Sequence, residues 1–290
     1  MLLKRLVSLA LAILGTGAFS AAAQEPYRFA VTEIVGLEVL QRDYGPFKEV
    51  LEQHSGLDIE FFAVAGRTAA VEAMAAGQLD FALTGPAEYV VFRARTNVEP
   101  VVGWTRPNYF SQLIVLAEGP IRTIDDLKGK KISFGAIGST SQHLGPAQIL
   151  MEAGLEYSRD YEPVFIPQNV AAEALKRGDI AAIGLAVSHI AFIHRASPGL
   201  ELRVLASGPD LPNDLILAAE TVPPEAVAAM RETFLNHGDE LMAAVLSVGG
   251  ENEIFEGGVF LPDVSDEDYD LIRSMYRAVG VFQFSEFIVD

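Results

Sequence analysis

Twice along this chain a short apolar run leads into an amphipathic stretch that stops at a glycine and is followed by another apolar run. This repeated strand–helix–strand order is the strongest constraint on the fold. It predicts mainly parallel sheets with helices on their faces. The first unit reads as a strand over 28–34, the stripe Phe47, Val50 and Leu51 closed by Gly56, and a strand over 58–64. An alanine-rich helix over 68–76, a strand over 79–83, a helix over 87–95 behind Pro86 and a strand over 98–104 complete it. The second unit reads as a strand over 131–134, a helix over 141–153 closed by Gly154, and a strand over 163–166. A helix over 171–177 closed by Gly178 and a strand over 180–186 follow. Two apolar strands, 113–117 and 215–219, carry no long helix of their own and read as crossovers between lobes. Segments 224–246 and 266–279 read as helices packing back on the first lobe. The expected fold class is α/β: two doubly wound lobes with a central cleft, joined by two crossover strands. Lobe 1 is expected over 24–114 plus 216–290, and lobe 2 over 115–215.

The first 23 residues carry a different signal. Lys4 and Arg5 precede an apolar run over 6–19, and Ala21, Ala22 and Ala23 form a small-residue cleavage pattern. This reads as an export signal with Gln24 as the mature terminus. The competing reading, a membrane anchor, needs about 20 apolar residues, and the run is shorter. Without Lys4 and Arg5, 19 basic side chains face 39 acidic ones, a charge of −20. A broad nucleic-acid interface is therefore not expected, and any anion must be held locally against the overall field. The absence of cysteine removes disulfides, thiolate zinc sites, cysteine nucleophiles and a lipid-modified terminus. A soluble periplasmic protein, not a lipoprotein, is expected.

Polar residues that bind ligands in such folds sit beyond the carboxyl ends of strands, at helix N-termini. The sharpest such feature is the run from Gly135 to His143, with Gly138, Ser139, Thr140, Ser141 and Gln142 within it. Hydroxyls there, together with N–H groups that lack intrahelical partners and the positive end of a helix dipole, suit a tetrahedral oxyanion. The alternative is an ordinary helix cap. Phosphate loops of the G-x-x-x-x-G-K-[ST] or G-x-G-x-x-G type and a G-x-S-x-G nucleophile elbow are missing. The five histidines show no H-E-x-x-H spacing, so neither a metal site nor a cofactor is expected.

The sequence resembles the periplasmic phosphonate, phosphite and phosphate binding proteins of ABC importers, a type II solute-binding family, over about residues 27–250. Four stretches carry the resemblance: Asp80 to Pro86, Tyr109 to Ile114, Ile124 to Gly135, and Ser139-Thr140-Ser141. It implies that Ser139, Thr140 and Ser141 ligate the oxyanion, that Tyr109 closes over it, and that Asp214 lies near the cleft. Three positions depart from the family pattern: Arg67 where a tyrosine is usual, Gln168 where a histidine is usual, and Ser188 where aminophosphonate binders carry a glutamate. Thr84 falls at a strand end facing the expected cleft. Losing the glutamate argues against a cationic tail on the ligand. Arg67 adds a charged donor fork suited to an oxyanion, its alternative being a surface arginine beside Glu72.

The resemblance implies a periplasmic binding protein, not an enzyme. It would capture a small oxyanion of the phosphate, phosphite, phosphonate or arsenic class in an interlobe cleft and close on it for delivery to a membrane ABC permease. Thiolate binding of arsenite is excluded by the lack of cysteine. The alternative is a sensory relative reporting the anion to a membrane histidine kinase. A remoter one, an exported phosphate-ester hydrolase, would need a metal cluster or activated nucleophile that the sequence does not display. A monomer without nucleic-acid partners is expected.

Overall fold

The chain first lays down β1 (Tyr27–Val31), α1 (Leu37–Ser55), β2 (Ile59–Phe61), α2 (Arg67–Ala75), β3 (Phe81–Thr84), α3 (Pro86–Arg95) and β4 (Glu99–Trp104). It crosses through 105–109 into β5 (Phe110–Leu116), β6 (Lys131–Phe134), α4 (Gly145–Glu152), β7 (Glu162–Phe165), α5 (Gln168–Arg177), β8 (Ala182–Ala186), α6 (His189–Ala196) and β9 (Leu202–Asp210). It returns through 211–213 into β10 (Asp214–Ala218), α7 (Pro224–Asn236), α8 (Gly238–Leu246), β11 (Phe260–Leu261) and α9 (Asp270–Ala278). This computed structural model describes residues 25–285, so the segment read as an export signal lies outside the described residues.

The strands form two sheets, β11-β4-β10-β3-β1-β2 and β7-β6-β8-β5-β9. In each, three strands are parallel and the strand that follows a crossing, β10 or β5, runs antiparallel to its neighbours. The stretches expected to cross correspond to β5 and β10, but each lies wholly within one sheet, and the crossings are the short segments before them. Among the described residues no helix is long and apolar enough to cross a membrane.

Local signals located most elements and missed a few. α1 begins ten residues before the Phe47 stripe and runs through Gly45 and Pro46, which the sequence presents as breakers. Leu40, Tyr44, Phe47 and Leu51 are buried on one face. Four such side chains, at about 1.5–3 kcal/mol each, outweigh the roughly 3 kcal/mol cost of an interior proline. β9 and α6 escaped the sequence reading. β9 is largely half-exposed along one edge of its sheet, so its residues do not alternate cleanly. The helix expected over 141–153 begins as a π-type turn, Thr140–Leu144, in which the Leu144 N–H reaches the Ser139 carbonyl at 3.0 Å, before α4 proper.

The first lobe is cored by aromatic rings. Trp104 of β4 lies 4.8 Å from both Phe255 and Phe260 and 5.7 Å from Phe47. The second lobe buries a cluster on each face of its sheet. As expected, α7 and α8 pack on α1, and α9 adds Ile272, Met275 and Tyr276 to the first lobe's core while also touching the second lobe. It lies between α3 of one lobe and α4 of the other, and the Tyr276 hydroxyl donates to the Ala87 carbonyl at 3.0 Å. Leu144, from the second lobe, is part of the first lobe's core.

Gly184 in β8 lies directly under α4: a Cβ there would sit 2.6 Å from Pro146 Cβ. Gly184→Ala is expected to destabilise the protein by about 1–3 kcal/mol through overpacking. Denaturant melts of the two proteins check this.

Candidate functional site

A cavity of about 580 Å³ opens where the two lobes face each other. Its second-lobe wall includes Ser139, Ser141, Gln142, Gln168, His189 and Phe192. Its first-lobe wall is Glu33, Arg67 and Arg106, and Glu251 and Ile254 reach it from the turn Gly250–Phe255. Ser139 is the residue before the π-type turn, and Gln168, His189 and Arg67 are the first residues of α5, α6 and α2. Four helical starts therefore converge on one space. N–H groups without intrahelical partners and the positive ends of helix dipoles at such starts favour an anion.

The loop before the turn is held from behind. Gly138 adopts φ 76°, a left-handed conformation that glycine takes without strain, and donates its N–H to His143 Nδ1 at 3.0 Å. With Nδ1 accepting, the ring proton is on Nε2, which lies 2.8 Å from the Tyr157 hydroxyl. Burial lowers the His143 pKa to about 3, so the ring is neutral and fixed in one tautomer.

On the opposite wall the charges are already paired. Arg67 Nη1 donates to Glu88, whose side chain is fully buried, and to Glu33 at 3.1 Å. Arg106 is buried against Asp214, lies 3.7 Å from Glu33, and stacks 4.6 Å from the Tyr109 ring centroid. Burial opposes the Arg106 charge, but Asp214 beside it more than compensates and raises its pKa. Glu33 and Asp214 compete for that guanidinium and split apart. Burial pushes Glu33 up, yet Arg67 and Arg106 together bring it down to about 2. Burial, with Glu33 nearby, leaves Asp214 raised to about 6 despite Arg106.

The candidates from the sequence fall into two groups. Ser139, Ser141, Gln168 and Arg67 line the cavity, and Gln168 Nε2 is buried there without a partner. Arg67 is neither a surface residue nor an uncommitted cation, because its expected neighbour Glu72 pairs with Arg95 instead. Thr84 is buried and accepts from the Thr32 hydroxyl at 3.2 Å, away from the cavity wall. Thr140 turns toward the first lobe, where its Oγ1 accepts the Ala87 N–H at 3.0 Å. Tyr109 and Asp214 lie behind the wall, and the Tyr109 oxygen is hydrogen-bonded by the Ser141 hydroxyl. Ser188 caps the start of α6 without a side-chain cap bond, and its neighbour His189 is the residue facing the cavity. Glu33, Arg106, Gln142 and His189 were missed. Glu33 had a legible signal, since it follows β1 at the carboxyl end of the strand.

A family model described as "ABC transporter, phosphonate, periplasmic substrate-binding protein" matches residues 29–253. The phosphate-import protein PhnD of Mycolicibacterium smegmatis is 31% identical over 158 residues, 49% of this chain and 49% of that protein. The chain thus matches about half the length of this curated relative. A binding protein component of an ABC phosphonate transporter from Pseudomonas aeruginosa superposes with a TM-score of 0.68 at 18% identity, covering 87% of this chain and 86% of that one. PhnD1 of Prochlorococcus marinus, solved with methylphosphonate, gives 0.64 at 18% identity, covering 87% and 97%. These likenesses are of fold, the type II periplasmic binding protein architecture.

Two predictions follow from the pairing. Arg106→Met strands buried Asp214 and is expected to cost about 3–5 kcal/mol in a denaturant melt. His143→Phe loses the Gly138 contact and is less stable at pH 7.5. Because the folded-state pKa of His143 lies below its ordinary 6.5, the unfolded chain binds more protons between pH 6.5 and about 3. Wild-type stability from this residue is therefore complete above about pH 6.5 and is lost as pH falls. The gap between variant and wild type should shrink by up to about 1.4 kcal/mol per pH unit in that window, measured by melts at stepped pH.

Proposed function

This chain belongs to the family of periplasmic substrate-binding proteins of phosphonate ABC transporters, and on that premise we propose that it binds a small phosphonate- or phosphate-class oxyanion in the interlobe cavity for delivery to a membrane permease. The observation that carries this reading is the convergence of four helical starts on the cavity, with Ser139 and Ser141 hydroxyls and the unpartnered Gln168 amide among them. Three of those starts, at the π-type turn, α5 and α6, form the second-lobe wall, and the anion's oxygens rest there. The facing wall contributes Arg67 and Arg106, each already shared with carboxylates, so it brings no net positive charge. Arg67 therefore gives no special preference for a bare, highly charged oxyanion. Glu33 is instead an acceptor for a ligand that carries a hydroxyl or amino group.

Binding without chemistry is the activity we assign, in the periplasm. Unliganded lobes hinge at 105–109 and 211–213, and an anion that touches both walls shifts the population to the closed form by its differential affinity. Arg195 of α6 and Glu253, 3.3 Å apart, span the two lobes and add a contact made on closure.

The test is calorimetry on protein unfolded and refolded to strip carried ligand. Phosphate, methylphosphonate, 2-aminoethylphosphonate, sulfate and an alkanesulfonate are titrated in turn. One phosphorus oxyanion is expected to bind one-to-one. Ser139→Ala and Ser141→Ala each remove a hydroxyl bond to a charged acceptor, roughly 1.5–3 kcal/mol or about 10- to 150-fold in affinity. Small-angle scattering should show compaction with ligand. Binding of a sulfonate alone, or full affinity in the double serine variant, overturns the assignment.

A further inference from the structure

Outside the cavity, one cluster of side chains has the make-up of a metal site. His54 lies in the last turn of α1, His237 sits between α7 and α8, and Glu240 is in the first turn of α8. His54 Nε2 is 3.1 Å from one Glu240 oxygen, and His237 Nδ1 is 3.2 Å from the other. The two imidazoles stack, with centroids 3.7 Å apart and planes 16° from parallel. One ligand atom from each residue lies within 4.8 Å of the others. None of the three lines the cavity, and α1, whose N-terminal end follows Glu33, spans 19 residues or about 28 Å.

We propose that His54, His237 and Glu240 bind one divalent transition ion of the zinc type. Two imidazole nitrogens and one carboxylate are a donor set for zinc, copper or nickel, whereas magnesium and calcium take oxygen ligands. Ligand atoms about 2.0–2.1 Å from a tetrahedral centre are about 3.3 Å from each other. The two nitrogen–oxygen separations run to different oxygens of Glu240, so holding one ion requires the stacked rings to turn out of parallel until both nitrogen lone pairs point at a common centre, within the 4.8 Å that already encloses one ligand atom of each residue. A plain hydrogen-bonded pair needs only one histidine. Here a second imidazole is stacked on the first and aimed at the other oxygen of the same carboxylate. The Glu240 side chain is 58% exposed, which leaves an entry path, and three protein ligands leave a fourth position for water or an exchangeable group. The ion would tie the end of α1 to the α7–α8 turn, joining residues 186 apart in sequence.

The experiment uses the purified chain without an affinity tag, dialysed against a chelator. Zn²⁺ is titrated by calorimetry, and the absorption of bound Co²⁺ reports the coordination number. One equivalent of Zn²⁺ with four-coordinate Co²⁺ is expected. His54→Ala and His237→Ala should each weaken Zn²⁺ binding by at least about 100-fold, more than loss of a supporting residue does, and Glu240→Gln should weaken it less. Melts in chelator establish that each variant is folded, and phosphonate or phosphate affinity should not change in any of them. Absence of saturable Zn²⁺ binding, unchanged binding in the His54→Ala/His237→Ala variant, or displacement by excess Mg²⁺ overturns the proposal.

Discussion

The buried pair of Arg106 and Asp214 is the contact on which the rest of the molecule depends. Arg106 stands in the first crossing between the lobes, and Asp214 opens β10 directly after the second. The pair therefore fastens the two crossings to each other, and the Leu211 N–H donates to the Tyr109 carbonyl at 2.8 Å in support. Breaking a buried ion pair costs far more than breaking an exposed one, because the remaining charge stays desolvated. The two crossings are thus pinned to each other at one point, and each lobe has its own core apart from Leu144, which joins the first lobe's.

The same arginine connects hinge to cavity. Arg106 and Arg67 are shared among Glu33, Glu88 and Asp214, so the first-lobe wall holds fixed charges in balance instead of a free cation. In a chain of formal charge −18, a strongly cationic wall would attract any of the protein's own carboxylates. Helical starts avoid that problem, because their dipoles act within about a turn. In the proposed reading, anion attraction is local to the second-lobe wall.

The lobes also meet behind the hinge. The Ala87 N–H donates to Thr140 Oγ1 and its carbonyl accepts from Tyr276, so the start of α3 is held by the second lobe on one side and by α9 on the other. Leu144 inserts into the first lobe's core from the same side. In the proposed closing motion, opening the front of the cleft would work against these contacts.

Local pattern in the sequence determined much of this. The strand–helix alternation and its closing glycines specify two α/β lobes, because sheet and helix periodicity depend on neighbours a few residues apart. That Ser139 and Ser141 would line the cavity was legible for the same reason: a helix start leaves N–H groups without intrahelical partners wherever it is placed, which makes it a candidate for a polar site. What each charged side chain does was decided by tertiary structure. Arg67 reads locally as a free donor, and only the fold sets Glu33 and Glu88 against it, 34 and 21 residues away. Arg106 and Asp214 meet across 108 residues, and His54 and Glu240 across 186. No spacing rule reaches so far, because such meetings depend on which strands pair and how helices cross. Thr140 stands between two cavity residues in sequence, yet in the wide π-type turn its hydroxyl faces the other lobe. Sequence could say which residues carry chemistry, and the packing of distant elements decided which of them were free to use it.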